Sequence, residues 1–446
     1  MIFRVKRFAV LISVGVLWAG PAPALTLEQA LVAASSTDSR FQASKQQFLA
    51  TQKSAEIAKA ALLPQVSYNR LQGKTEFDRQ FNNGVSVRDE VSSLNEQLVA
   101  VQPVLDMRAY RRYEEGKERT ASAETQLQQA RQDLILRVAK GYLDAVGRLQ
   151  ERKRAVQVYD FHTRQADLAK QTFEIGEISE LDALSARAEQ SAAYSRLLEA
   201  EQQLAFSLSN LQTLTGREIQ ALQGLPENFT AISPLQTSVD ELSKRALLDN
   251  PSIHAAQHQV EIAKSQLEQN EANHYPVLDV VLSTGKVESD TVGSVNTSSD
   301  VSSASVRLNV PLFSGFRTVA EVDQSTAELR KAEHDLDFAR KQVTDQLRRL
   351  YKQCVQSAQL IASYQTQVES FEAALKAAQN GYRAGLNVYL DVMRAKRDLM
   401  SANHDLQRIQ LQAVQSHLDL RALTGQLTDQ DLVRLSKRLS QVERVD

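Results

Sequence analysis

The sequence predicts a mostly α-helical protein with a small β part, and three observations carry that expectation. Two long stretches of the 446-residue chain, between Pro103 and Pro226 and after Pro311, contain no proline and are rich in Ala, Leu, Gln, Glu, Lys and Arg, the strong helix formers. Outside them, around the remaining prolines, the apolar period shortens from helical spacing to two. Finally, 209 residues separate Gly176 from Gly385, Asp182 from Asp391 and Gly216 from Gly425. A constant offset at three markers is the signature of one unit written twice.

The elements follow in chain order. Arg4, Lys6 and Arg7 precede the apolar run 8–19 and then Pro21-Ala22-Pro23-Ala24, which reads as a secretory signal peptide over 1–24, too short in its apolar part to span a bilayer. An uncleaved anchor is the alternative. The first repeat, 25–238, should open with a helix over about 27–63 that Pro64 ends. Val66 and Tyr68 begin a strand, a polar loop over 71–93 suits an external surface, and 94–104 forms a second strand.

A long helix then spans about 107–174, on the order of 100 Å at 1.5 Å per residue. Its seam of Leu127, Leu134, Val138, Tyr142, Ala145, Leu149 and Val156 has coiled-coil spacing. It ends at a glycine turn, Gly176, and a shorter helix over 178–215 closes on Leu214-Thr215-Gly216, where glycine supplies a left-handed cap. The second repeat, 239–446, has the same order: a helix over 239–274, strands at about 277–284 and 301–310 around an external loop 285–300, and a long helix over 317–384. A tip at Gly385 follows, then a helix over 387–424. In each repeat the two short helices match the long one in length, so stacked end to end they run beside it.

The strands carry the membrane argument. Ala304, Val306 and Leu308 alternate with Ser305 and Arg307, and Leu278, Val280 and Leu282 alternate less cleanly with Asp279 and Val281; these six apolar residues are the expected lipid-facing set. Four strands cannot close a membrane barrel, which begins at eight, and open edges are not tolerated in lipid. The chain must pool strands with copies of itself, and three copies give twelve.

Composition excludes several functions. A net charge of −2 with 24% charged residues argues against nucleic-acid binding and against disorder. The one cysteine, Cys354, lies on a helical seam with Leu350, Ala358 and Ile361 and reads as a small core residue. His254 and His258 share a helix face at i, i+4, but no acidic base lies between them as a zinc protease requires. No phosphate-cradling loop or nucleophile elbow is present. The expectation is a protein without catalytic residues, cofactor or metal.

The paired tips, the paired Leu-Thr-Gly ends, Ala61-Leu62-Leu63-Pro64, the run from Asn309 through Pro311 and Phe313 to Gly315, and Asp429-Gln430-Asp431-Leu432 together resemble the TolC family of outer-membrane channel-tunnels, over essentially the whole chain after the leader. The resemblance implies a homotrimer in the bacterial outer membrane, with a twelve-stranded barrel, a helical barrel reaching through the periplasm, and an equatorial region from about 217–238 and the tail after Gly425. It implies partners too: a periplasmic adaptor (membrane fusion protein) and an inner-membrane ABC transporter or other pump that supplies the energy. Gln102-Pro103-Val104-Leu105-Asp106 with Tyr110 and Tyr113, and Gln353-Cys354, look most like outer-membrane components of type I polypeptide secretion. A multidrug efflux duct shares the fold. A periplasmic coiled-coil scaffold is the reading from a different class, against which the alternating strands speak.

The resemblance also implies an entrance gate. Asp391 matches an aspartate that lines the constriction once per subunit, but Arg394 stands where a second acid is usual, so the two residues pair at i, i+3. Asp182 and Tyr382 match residues that tether neighbouring tip coils, and Asn387 replaces an arginine of that network. Gly176, Glu177, Ile178, Ser179, Gly385, Leu386, Asn387 and Val388 form the expected adaptor-docking surface. As bare chemistry they are two helix-breaking turns, but apolar residues at a tip have no core to join.

Overall fold

The computed structural model describes residues 24–444 apart from 83, 227–228, 230–236, 292–293 and 440; the leader expected over 1–24 lies, except for Ala24, outside the described residues. Helix α1 (Leu27–Thr37) opens on a capping box in which Thr26 Oγ1 accepts from the Gln29 N–H at 3.1 Å and Gln29 Oε1 accepts from the Thr26 N–H at 3.2 Å. The single helix expected over 27–63 is three, because α2 (Ser39–Gln52) and α3 (Ser54–Ala60) follow breaks at Asp38 and Lys53. Asp38 leaves helical geometry to cap α2, accepting from the Phe41 N–H at 2.7 Å, and its carboxylate also takes both Arg137 terminal nitrogens at 2.9 and 3.0 Å. A buried cap held by a bidentate cation overrides the helical pattern around it.

Strands β1 (Gln65–Gln80) and β2 (Ser86–Leu105) form a hairpin closed by the Phe81 N–H on the Val85 carbonyl at 2.8 Å. The external loop expected over 71–93 is therefore mostly strand. Its residues look loop-like because their apolar alternation stops, yet the ladder continues, laced by ion pairs such as Lys74–Glu90 and Arg70–Glu96.

Helix α4 (Met107–Glu174) and α5 (Glu180–Thr215) make the first helical hairpin, and strand β3 (Ala221–Gly224) follows. The helix expected over 239–274 is α6 (Val239–Asp249) and α7 (Pro251–Glu271) with a 3-10 turn, Ala272–His274, the break falling where Asn250 caps ahead of Pro251. Strands β4 (Val277–Thr291) and β5 (Ser294–Asn309) again absorb the loop expected over 285–300. Then come α8 (Arg317–Arg383), α9 (Tyr389–Leu423), α10 (Asp429–Arg438) and β6 (Gln441–Arg444).

The four long strands form one antiparallel sheet in the order β1-β2-β4-β5, so β1 and β5 are its free edges within the chain. A bulge at Pro103 shifts the β2–β4 register, a position where a residue without an N–H does least harm to the ladder. The short helices line up along the long ones: on α4, Gly116 faces Ala55 of α3, Arg137 faces Asp38, and Gly141 faces Leu211 and Leu214 of α5.

The main core surrounds the middle of α4, where Leu134, Ile135, Val138, Ala139, Tyr142, Leu143, Ala145 and Val146 are all buried. Chain start, middle and end meet there. Leu25 bridges Leu222 in parallel, β3 pairs antiparallel with β6, and Leu432, Leu435 and Leu439 close the cluster. Tyr142 Oη donates to the Leu25 carbonyl at 2.8 Å and accepts from the Gln223 N–H at 2.8 Å, tying the helix to this patch. A second cluster joins α6, α7 and α8 through Leu242, Ile253 and Leu347, with half-buried Cys354 against it. Burial pushes the Cys354 thiol up to about 11.

Candidate functional site

Three features carry the chemistry: the two helical tips, the faces of the long sheet, and the seam where the two helical hairpins meet. At the first tip α4 ends on Ile175 and the chain turns through Gly176 at φ 78, with the Glu177 N–H returning to the Thr172 carbonyl at 3.0 Å. The second tip repeats the turn at Gly385, φ 75, with the Leu386 N–H on the Gly381 carbonyl at 2.8 Å. Only glycine takes such a φ without strain.

The two tip aspartates are the third residues of α5 and α9, in the first turn of each helix, where they take part in the N-terminal caps. Asp182 accepts from Ser179 Oγ at 2.7 Å while its own N–H donates to that oxygen at 3.2 Å; Asp391 accepts from the Val388 N–H at 3.3 Å, a bond that valine cannot return. Arg394 stands 3.9 Å from Asp391, both side chains well exposed. Within one chain Asp182 and Tyr382 are not brought together, since Asp182 is taken up by Ser179 and the Tyr382 ring lies 5.8 Å from that of Tyr389. Asn387 folds back over Gly381, donating its N–H to that carbonyl at 3.2 Å; it is a turn residue before it is anything else.

The eight residues expected to dock an adaptor do cluster on these two turns, but their apolar members need revision. Leu386 (82% exposed) and Val388 are in the open, whereas Ile178 is half-buried and its neighbours Ile175 and Leu181 are the exposed ones, at 70% and 73%. Ile175 precedes the glycine and was legible as a helix end; nothing in the period says that it faces outward.

On the sheet, the six residues expected to face lipid share one face and pair across it: Leu278 with Leu308, Val280 with Val306, Leu282 with Ala304. The register extends that face to residues the alternation alone left out, since Val66 pairs with Ala100 and Tyr68 with Leu98, and Ala100 in turn with Leu282. On the opposite face lie Ser67, Val99, Ser283 and Ser303 in one rung, and the Asp279–Arg307 ion pair at 2.8 Å.

At the seam, α4 of the first hairpin meets α9 of the second. His404 Nε2 lies 2.6 Å from Glu151 Oε2, Arg154 holds the other Glu151 oxygen at 2.5 Å, and Asp405 sits 3.9 Å from His404 Nδ1. The His404 hydrogen bond, working against burial and helped by Arg154, pulls the Glu151 carboxyl down to about 2. Farther along the same pair of helices Lys140 meets Asp419 at 2.6 Å. Elsewhere His258 faces Glu118 at 3.2 Å and His254 faces Gln257 at 3.2 Å, so each has a partner other than a shared ion. Among the described residues no helix is long and apolar enough to cross a membrane.

The outer membrane efflux protein family matches residues 30–217 and 242–426. The chain is 29% identical to the alkaline protease secretion protein AprF of Pseudomonas aeruginosa, over 77% of this chain and 72% of that protein. It is 27% identical to the proteases secretion protein PrtF of Dickeya chrysanthemi, over 97% and 95% of the two chains. Among solved structures, the CmeC outer membrane channel of Campylobacter jejuni superposes with a TM-score of 0.76 at 14% identity, covering 99% of this chain and 98% of that one, which shows a shared fold.

Proposed function

The chain belongs to the outer membrane efflux protein family, and from that premise we propose that three copies form a tunnel for exporting polypeptide out of the cell. As an outer-membrane efflux channel of the TolC type it needs a closed barrel. The observation that carries the trimer is the sheet: four antiparallel strands, apolar on one face, with β1 and β5 left as edges. In a closed ring β5 of one copy runs antiparallel to β1 of the next, so the alternation continues without a break. The apolar face of Leu278, Val280, Leu282, Ala304, Val306 and Leu308 then meets lipid.

The tips serve as the periplasmic entrance and as the surface for a periplasmic adaptor coupled to an inner-membrane ABC transporter. Their exposed apolar residues support this reading, because Leu386 and Val388 stand where one chain offers nothing to cover them. Asp182, Tyr382, Asn387, Asp391 and Arg394 gate the entrance, with Tyr382 reaching an Asp182 outside its own chain and Arg394 blunting any ring of Asp391 carboxylates. Polypeptide cargo is favoured over drugs because AprF and PrtF, the relatives described above, are named for protease secretion.

Deleting the gene and complementing it tests the proposal. The expected result is loss of one exported polypeptide from the medium with unchanged drug tolerance, restored by a heat-modifiable trimer in the outer-membrane fraction. Drug sensitivity with intact secretion identifies an efflux duct; a soluble periplasmic monomer defeats the tunnel altogether.

A further inference from the structure

Between α4 and α5 of the first hairpin Ala155, Leu197 and Ala200 are buried with Val156 and Tyr159 packed on them, beside ion pairs such as Arg152–Glu201. The seam between the hairpins, α4 against α9, changes character along its length. Near the core it is apolar, through Leu143, Val146, Leu411 and Val414. A cleft of 680 Å³ runs alongside it from Lys140 and Asp419 to Glu151 and His404, and nearer the tips Phe161, Tyr389, Met393 and Met400 line the seam again. Where the seam borders that open cleft it is held by ion pairs as well as by packing, and there it can shear.

The tie across that cleft is an alternating chain of charges, Arg154–Glu151–His404–Asp405–Arg408, whose first two members are on α4 and last three on α9. The groups facing His404 are Asp144, Arg148, Glu151 and Arg154 from α4 and Asp405 and Arg408 from its own helix. Helix α8 adds the uncharged Gln353, α5 adds Gln203 and, around Glu151 and Arg154, Arg196 and Glu199, and Lys140 with Asp419 lies at the far end. Five carboxylates thus balance five fixed cations. Of all these side chains only the imidazole is of a kind that changes charge between pH 5 and 8.

We infer that the Glu151–His404 pair is a proton-operated clasp between the two hairpins, closed when the imidazole is charged and loosened when it is neutral. A charged ring donates Nε2–H to Glu151 and presents Nδ1–H to Asp405, so both carboxylates are served. A neutral ring donates to only one carboxylate, without a positive charge of its own, and leaves two like charges facing each other across it. Loosening frees the hairpins to shear, and with them the tips. The clasp rests on the reading of the chain as a channel whose tips gate it.

Purified full-length trimers in planar bilayers, recorded at pH 5.5 and pH 8.0, test it. For the wild type, open-state occupancy should rise about fivefold between the two, the factor that corresponds to losing a partly exposed ion pair. H404Q and E151Q, each first shown to form a heat-modifiable trimer, should lose that rise, and H404K should stay near its acid-side occupancy throughout. H162Q is the control, because His162 pairs with Glu189 inside one hairpin, and it should keep the wild-type profile. The clasp is overturned if H404Q and E151Q keep the rise or if the wild type lacks it. Absence of conductance from every protein at both pH values would overturn the channel reading and the clasp with it.

Discussion

Two side chains concentrate much of the energetics. Tyr142 is fully buried, and its hydroxyl is the only polar group it brings, satisfied by the Leu25 carbonyl and the Gln223 N–H. Replacing it by Phe leaves both backbone groups short of a partner in the core, so Tyr142→Phe should destabilise by about 1–3 kcal/mol, read as a lower trimer dissociation temperature in semi-native gels. Glu151 makes the acid side testable. Its carboxyl is held at about 2 against an ordinary 4.5, a depressed value, so the part of its contribution that needs an ionised carboxylate is present above pH 4.5 and is lost as pH falls toward 2. Wild type should therefore lose more thermal stability between pH 5 and pH 3 than Glu151→Gln, which has nothing to protonate. An equal loss in both proteins would mean that the bridge does not contribute.

At the scale of elements, helices and tips were legible in the sequence because a 3.6-residue period over nearly seventy residues is hard to mistake, and glycine marks its own turns. Two things were not. The outer halves of the strands lack apolar alternation and are held by backbone ladders and cross-strand ion pairs such as Arg88–Glu76, which composition alone reads as loop. The break at Asp38 depends on Arg137, about a hundred positions away, and no local pattern reports it. The expected face of the sheet, by contrast, followed from parity, and its consequence is sharp. Val306→Lys places a charge on the apolar face, costing about 2–4 kcal/mol near mid-membrane, and should block outer-membrane assembly. Ser305→Lys, one residue away on the other face, should assemble normally. Gly425 is a third case: it ends the α9 region at φ 70, and a Cβ there would lie 2.2 Å from the Asp249 carbonyl oxygen. Gly425→Ala should force α6 away from α9 and cut trimer yield several-fold in the membrane fraction, more than substitution at the open tip glycine Gly176, where a Cβ meets nothing within 4 Å.

At the scale of the whole molecule, the same order of elements appears twice, yet the two halves are joined unequally. Apolar packing fuses them around the middle of α4, and beside the cleft at Glu151 and His404 ion pairs join them. The residues proposed for gating and docking lie on the two tips, most of them exposed, as a surface that must meet other molecules requires.

The small patch at β3 has a consequence of its own. Leu25 lies on one side of it and β6 on the other, so two segments far apart in the sequence are stitched to the same strand. A chain threaded across the inner membrane from its N-terminus delivers that closing stitch last. Until it arrives, the apolar groove around Leu222 and Leu432 stays open to water, so periplasmic holdases have a defined place and a defined moment to act.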